Sequence, residues 1–293
     1  VTVQVDEELA ARFEAERGQL RAVAYRMLGS PEAAEDAVQE AWLRLGRVDA
    51  GEVANLGGWL RTVVTRICLD VLRTRRTRRE DPTGMQQLDE VPGTGAGPAD
   101  TAVLADSVSR ALLVVLDTLT PAERVAFVLH DMFAVPFDQI APIVSRSPVA
   151  AKKLASRARQ KVQGTPAVPA DELARQRRVV AAFLAAARAG DLAGILAVLA
   201  PDVVRRADPA ALAPGAAAVV RGAQQVARGT VALAGRSRQA ELVLLDGRIG
   251  AIVAPGGRLR FALAFDVDGD LITGYEVIAD PDRLARLDLA VLD

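Results

Sequence analysis

The chain has 293 residues, 51% hydrophobic and 25% charged, with 36 basic side chains against 37 acidic ones and one cysteine. So much apolar surface at a net charge of −1 excludes a globally disordered chain, and Cys68 has no second cysteine with which to build a disulfide scaffold. At about 150 residues per domain the length predicts roughly two domains, each able to bury a core.

No run of about 20 uninterrupted apolar residues is present; the best candidate, Val179–Ala200, carries Arg188 and Asp191 near its middle. The first residues, Val1–Glu8, are acidic and lack an apolar core, so no signal peptide is expected. The expectation is a soluble, cytoplasmic protein with no membrane partner.

The near-zero net charge is unevenly distributed. Residues 1–60 carry −5, residues 61–79 carry +6 from seven arginines against Asp70, and residues 80–106 carry −6 with no base. Residues 107–145 come to −2, residues 146–164 to +6 with no acid, and the remainder is balanced. Two cationic segments divided by an acidic spacer are what two contacts to one polyanion require, which points to nucleic acid.

Residues 6–79 read as helical. Ser30-Pro31 is an N-cap with proline in the first helical position, opening a helix over Pro31–Leu45. Asn55-Leu56-Gly57-Gly58 reads as a loop, after which Leu60, Val63, Val64, Ile67 and Val71 fall on one face of a helix starting at Trp59. The opposite face presents Thr62, Thr65, Arg66, Leu69 and Arg73, and the helix runs out into Arg75, Arg76, Arg78 and Arg79. Residues 80–105, rich in Pro, Gly and acids, read as a flexible linker.

A second helical unit covers 106–164. Thr120-Pro121-Ala122-Glu123 is a capping box with proline in the first helical position. A short helix over Phe137–Val144, a turn at Ser145-Arg146 and a helix capped by Ser147 then give a helix-turn-helix pattern. The turn lacks the usual glycine, and Pro142 is expected to bend the short helix. The last helix turns Ala151, Leu154, Ala155, Ala158 and Val162 inward and Val149, Lys153, Ser156, Arg157 and Gln160 outward, flanked by Lys152 and Arg159. Lys153, Ser156 and Arg157 are spaced to reach base edges, with Lys152 and Arg159 toward the backbone.

Residues 165–293 form a third region. Asp171–Ala187, Asp191–Leu199 and Ala223–Ala234 read as helices, with Gly190 as a C-cap. From Gln239 the period changes to two: runs 240–246, 248–253, 258–267 and 270–278 are separated by Asp246-Gly247, Pro255-Gly256-Gly257 and Asp268-Gly269. That predicts an antiparallel meander packed by helices, an α+β domain. Asp266-Val267-Asp268-Gly269-Asp270 has its glycine two positions early for a calcium loop and reads as a hairpin turn. The region contains no His, Cys or Lys, and alternation points only one of Tyr275 and Glu276 inward, so neither catalysis nor a cofactor is expected. The lone His130 and Cys68 read as structural, and no metal site is expected.

The runs Ala33–Arg44 and Trp59–Asp70 resemble region 2 of bacterial sigma factors of the extracytoplasmic-function (ECF) group; Leu119–Asp131 with Ala155–Arg159 resembles region 4. The tail is similar to the cone-shaped SnoaL-like, nuclear-transport-factor-like domain that one ECF subgroup appends, and Ala279–Leu284 to that subgroup's short C-terminal motif. The resemblance implies two all-α sigma domains, region 2 over 6–79 and region 4 over 106–164, joined by the linker and followed by a regulatory domain over 165–293. It implies core RNA polymerase and promoter DNA as partners. Asp36, Gln39, Glu40 and Trp42 would dock the polymerase, while Asn55, Arg61, Thr65, Arg66, Asp70, Arg73 and Arg76 would melt and read the −10 element. Ser147, Val149, Lys152, Lys153, Ser156, Arg157 and Arg159 would read −35.

Asp280, Pro281, Asp282, Arg283 and Leu284 would serve regulatory contacts of the tail. The subgroup's tryptophan-containing linker motif is absent from 80–105, and its glycine-rich motif is replaced by Arg206-Ala207-Asp208-Pro209-Ala210-Ala211. Whether the tail binds a small-molecule ligand stays open. So does a different class of protein, a DNA-binding regulator fused to a ligand-binding or enzymatic domain and independent of polymerase.

Overall fold

A computed structural model describes residues 2–48, 53, 55–80, 109–213 and 215–292; the predicted linker lies almost wholly outside them. The chain divides into two compact units, one of residues 1–109 with 116–159 and one of residues 110–115 with 160–293.

In the first unit, α1 (Thr2–Leu28), α2 (Pro31–Leu45) and α3 (Leu56–Glu80) pack on one another. Ser30 caps α2 as predicted, its hydroxyl accepting from the Ala33 N–H at 3.1 Å. α3 begins three residues earlier than the sequence reading. Asn55 Oδ1 accepts from the Gly58 N–H at 2.9 Å, and this cap draws the two glycines into the first turn. Val23, Met27, Leu45, Leu60, Val64 and Cys68 are wholly buried.

Thr65 and Leu69, read as outward-facing, are buried as well. The reason is a second neighbour: α5 (Pro121–Phe127) and α6 (Phe137–Ile143) also pack along α3. One apolar stripe describes a helix with one neighbour; α3 has them on two sides. The side chain that joins the two helix groups is Arg124, itself only 2% exposed. It pairs with Asp117 at 2.5 Å, and its Nε donates to the Arg26 carbonyl at 3.3 Å. Arg26 in turn lies over the Phe133 ring, 5.2 Å from its centroid.

α4 (Arg110–Asp117) is followed by the capping box, present in both directions: Glu123 N–H to Thr120 Oγ1 at 3.3 Å, Thr120 N–H to Glu123 Oε2 at 3.1 Å. Val128–Met132 widen into a π-helical turn, where His130 stacks on Phe137 at 3.9 Å. Between α6 and α7 (Pro148–Gln163) Ser145 takes φ +55°, supplying the left-handed residue for which no glycine is available. Pro142 falls one residue before the end of α6, so the hydrogen bond it removes and the bend it imposes are confined to the last turn.

The second unit is α+β. α8 (Ala170–Ala189) ends at Gly190 with φ +69°, and Asp191 caps α9 (Leu192–Ala197) through the Gly194 N–H at 3.0 Å. Seven strands follow: β1 (Leu199–Ala207), β2 (Val219–Arg221), β3 (Ala240–Leu245), β4 (Arg248–Val253), β5 (Phe261–Asp268), β6 (Leu271–Ile278) and β7 (Leu289–Ala290). Their order is β2-β1-β6-β5-β4-β3-β7. β3–β6 form the predicted antiparallel meander, but β1 joins parallel to β6, so the sheet is mixed.

β1 corrects the predicted helix over Asp191–Leu199, which stops at Ala197. Its alternation is broken by Pro201-Asp202 and by a register shift between Leu199 and Val204, which hid it. α10 (Ala223–Ala232), with the short α11 (Ala234–Ser237) after it, packs on β1; Phe183, Phe265 and Tyr275 pack with ring centroids 5.5–5.6 Å apart. Glu241 on β3 accepts from the Ala111 N–H at 3.0 Å and pairs with Arg110 at 2.8 Å, so the start of α4 folds with this unit. A last short helix, α12 (Pro281–Leu284), precedes β7.

Candidate nucleic-acid interface

α7 is built as a two-faced rod. Ala151, Ala155 and Ala158 are wholly buried, with Val162 also inside, so the helix lies close on its neighbours. Ser147 caps it, its Oγ accepting from the Ala150 N–H at 3.3 Å. On the other side Lys152, Lys153, Ser156 and Arg157 are exposed, and Val149 is 67% exposed. Val149, Lys153 and Arg157 follow one another at i, i+4, i+8, and the helix holds no carboxylate to neutralise them. Arg159 differs from its sequence reading. It is half-buried and its Nε donates to Asp131 Oδ1 at 2.7 Å, so its charge is already met within the fold. Only the folded chain brings Asp131 there, from 28 residues away.

On α3 the predicted set is split. Arg66, Asp70, Arg73 and Arg76 are exposed, with Arg73 3.5 Å from Asp70. Arg75 donates to the Leu28 carbonyl at 2.9 Å. Thr65 is wholly buried, its hydroxyl donating to the Arg61 carbonyl at 2.7 Å; Arg61 is half-buried. Asn55 is exposed, but its Oδ1 is committed to the cap. Beneath this face Cys68 is a sealed thiol: burial pushes its pKa up to about 12, against small opposing effects of Arg124 and Arg75.

On α2, Asp36 and Gln39 are exposed, and Glu40 is bound by Arg44 at 2.9 Å. Trp42 is half-buried with its ring centroid 4.8 Å from that of Phe13. Phe13, Val38, Gln39 and Trp42 line a shallow hollow between α1 and α2, beside the exposed Leu43. Glu35, not singled out from the sequence, is held by Arg17 at 2.5 Å and Arg21 at 3.2 Å and fixes α2 on α1.

The C-terminal set is drawn into one network. Asp280 caps α12 through the Arg283 N–H at 2.9 Å. The Arg283 guanidinium reaches Asp208 at 2.5 Å and Glu276 at 2.8 Å. Pro281 and Asp282 are exposed and Leu284 is half-buried. Tyr275 points into the core and Glu276 away from it, as alternation requires.

No described helix is long and apolar enough to cross a membrane. A Sigma-70 region 2 model matches residues 12–78 and a Sigma-70 region 4 model matches residues 109–162. The chain is 42% identical over 290 residues to the ECF RNA polymerase sigma factor SigJ of Mycobacterium tuberculosis H37Rv, spanning 93% of this chain and 92% of the relative. It is 36% identical over 284 residues to the probable ECF RNA polymerase sigma factor SigI of the same strain, spanning 95% and 96%. Among solved structures, the crystal structure of M. tuberculosis SigJ aligns with a TM-score of 0.46 and 37% identity, covering 94% of this chain and 98% of that one.

Proposed function

The chain belongs to the ECF RNA polymerase sigma factors, and from that premise we propose how its parts divide the work of promoter-specific initiation. Residues 6–79 act as region 2 and residues 106–164 as region 4, with 80–105 as the tether and 165–293 as a domain that regulates them in cis. The protein works in the cytoplasm, with core RNA polymerase and promoter DNA as partners.

The observation that carries this reading is the α7 face. A close-packed alanine side fixes the rod, and an uncompensated Lys153–Arg157 ridge projects from it. Cations on a rigid frame position a phosphate backbone, and long side chains at i, i+4 reach base edges in one groove. Ser147, Val149, Lys152, Lys153, Ser156 and Arg157 form the −35 reader; Arg159 orients the rod through Asp131.

The −10 face is Arg66, Asp70, Arg73 and Arg76, with Asn55 and Arg61 at its start. Thr65 joins it only when the packing along α3 loosens. Asp36, Gln39, Glu40 and Trp42 offer the polymerase a polar rim around an aromatic centre, the composition of a protein interface. The regulatory role of the tail, through Asp280–Leu284 and its neighbours, is supported by Glu241, which ties the first turn of α4 to the C-terminal unit.

The test is association of the intact chain with purified core polymerase, measured by fluorescence anisotropy. Asp36→Arg, at an exposed position that leaves the fold alone, should weaken it by about tenfold or more. Equal affinity of the variant and wild type would remove α2 from the polymerase interface.

A further inference from the structure

The second unit encloses a cavity of about 360 Å³ between its sheet and the helices α8 and α10. Its walls are mostly apolar, with Phe183, Leu184, Val226, Leu263 and Val277 among them. One cation stands in this apolar setting. Arg205 is on the same face of β1 as the buried Val203 and Ala207, in register with Tyr275 on β6, which is itself in register with Phe265 on β5.

The guanidinium is only partly satisfied. Nη2 donates to the Ala217 carbonyl at 2.7 Å, but Nε is enclosed and has no hydrogen-bond partner among the described residues. Among those residues no carboxylate pairs with it either. Beside it the Tyr275 hydroxyl lies 3.1 Å from Thr230 Oγ1. Burial raises the Tyr275 pKa, with the Thr230 hydrogen bond and the Arg205 charge opposing, so the phenol keeps its proton. Because the Thr230 hydroxyl donates to the Val226 carbonyl at 3.0 Å, that proton is directed at Thr230 Oγ1 and leaves the phenol oxygen as a neutral polar neighbour.

A half-buried guanidinium with no carboxylate partner among the described residues costs free energy, and an oxyanion on its accessible edge offsets that through a charge-assisted hydrogen bond. Inorganic anions would leave the apolar walls uncovered, and a hydrocarbon would leave Arg205 unpaired. We propose that this cavity binds a hydrophobic monocarboxylate, its carboxylate on the accessible edge of the Arg205 guanidinium beside the Tyr275 hydroxyl and its apolar body against Phe183, Leu263 and Val277. The size falls in the range of small-molecule sites. Nothing in this site depends on the initiation role, and it is tested on the chain alone, so either reading can fail without the other.

The experiment is calorimetric titration of the intact chain with octanoate and, separately, with octanol, which has the same tail and no charge. Octanoate should saturate at one molecule per chain and bind at least about tenfold tighter than octanol, the value of a hydrogen bond to a charged group. Arg205→Met should erase that preference. The exposed Gly229 of α10 lines the cavity, and no atom stands within 4 Å of a Cβ added there, so a side chain can start from this position without a clash and Gly229→Phe places a ring at the opening. It should weaken both ligands by about tenfold or more. Absence of saturable octanoate binding, equal affinity for octanol, or a preference that survives Arg205→Met overturns the proposal. Should Arg205→Met fail to fold, unchanged octanoate affinity in Gly229→Phe overturns it equally.

Discussion

Asp208 and Arg283, 75 residues apart in the chain, are joined by a 2.5 Å ion pair. The same buried carboxylate accepts from the backbone N–H groups of Ala279 and Asp280, at 3.0 and 3.1 Å. The exit of β1 and the turn after β6 are therefore fastened at one point. These are the two segments that the sequence resemblance marks as regulatory, one by its C-terminal motif and the other by the loss of its glycines. Within the C-terminal unit they hold each other.

Asp208→Ala should destabilise this unit by about 1–3 kcal/mol in urea unfolding, because two backbone donors and a guanidinium lose their acceptor. The pH dependence has a definite sign. Burial by itself would raise the Asp208 carboxyl, but the Asp280 and Ala279 N–H groups and Arg283 outweigh it and hold the pKa below the usual carboxylate range. The contribution is thus fully present above about pH 4 and is lost as pH falls below that. The stability gap between wild type and variant should be flat from neutral pH to about pH 5 and close in more acidic solution. A gap that closed on the alkaline side would contradict the network.

Cys68 should resist alkylation in the native chain. With its thiol pushed up to about 12 and no exposed surface, the thiolate is scarce and unreachable. At pH 8 native alkylation should run at least about a hundredfold slower than in urea. Equal rates would mean that the packing of α5 and α6 along α3 is absent in solution.

Lys153→Ala and Arg157→Ala should weaken promoter binding by the polymerase-bound chain while leaving association with core polymerase intact. Each should also lower the slope of log affinity against log salt by about one if its contact is to phosphate. A loss confined to particular base pairs, with the slope unchanged, would assign that residue to base reading instead. Arg159→Ala should act differently, through the orientation of α7, because its partner is Asp131.

Glu241→Ala should release the first turn of α4. Hydrogen exchange at Ala111 should quicken, since its N–H loses a 3.0 Å acceptor. Transcription output should change by about twofold or more while core binding holds, as a coupling of about 0.4 kcal/mol or greater requires. Faster exchange with unchanged output would separate the contact from regulation.

Local chemistry made much of the molecule legible in the sequence. Ser30, Thr120 and Ser147 announce their helices because a capping hydroxyl acts within three residues. The α7 faces and the β3–β6 meander follow from short periods. What the sequence hid depends on long-range packing. Thr65 and Leu69 are buried by helices that follow some fifty residues later. Arg159 is claimed by Asp131, and β1 is recognisable only once β6 lies beside it. Arg205, the one cation lining the cavity among the described residues, follows the Pro201-Asp202 break in the alternation of β1, so no pattern singles it out.

The most direct measurement is run-off transcription from a promoter template with core polymerase and the intact chain. Transcripts of one defined start should appear only when both are present, and Lys153→Ala with Arg157→Ala should abolish them while the chain still joins the core enzyme. Specific, tight binding of duplex DNA by the chain alone, with neither association with core polymerase nor initiation, would contradict the account.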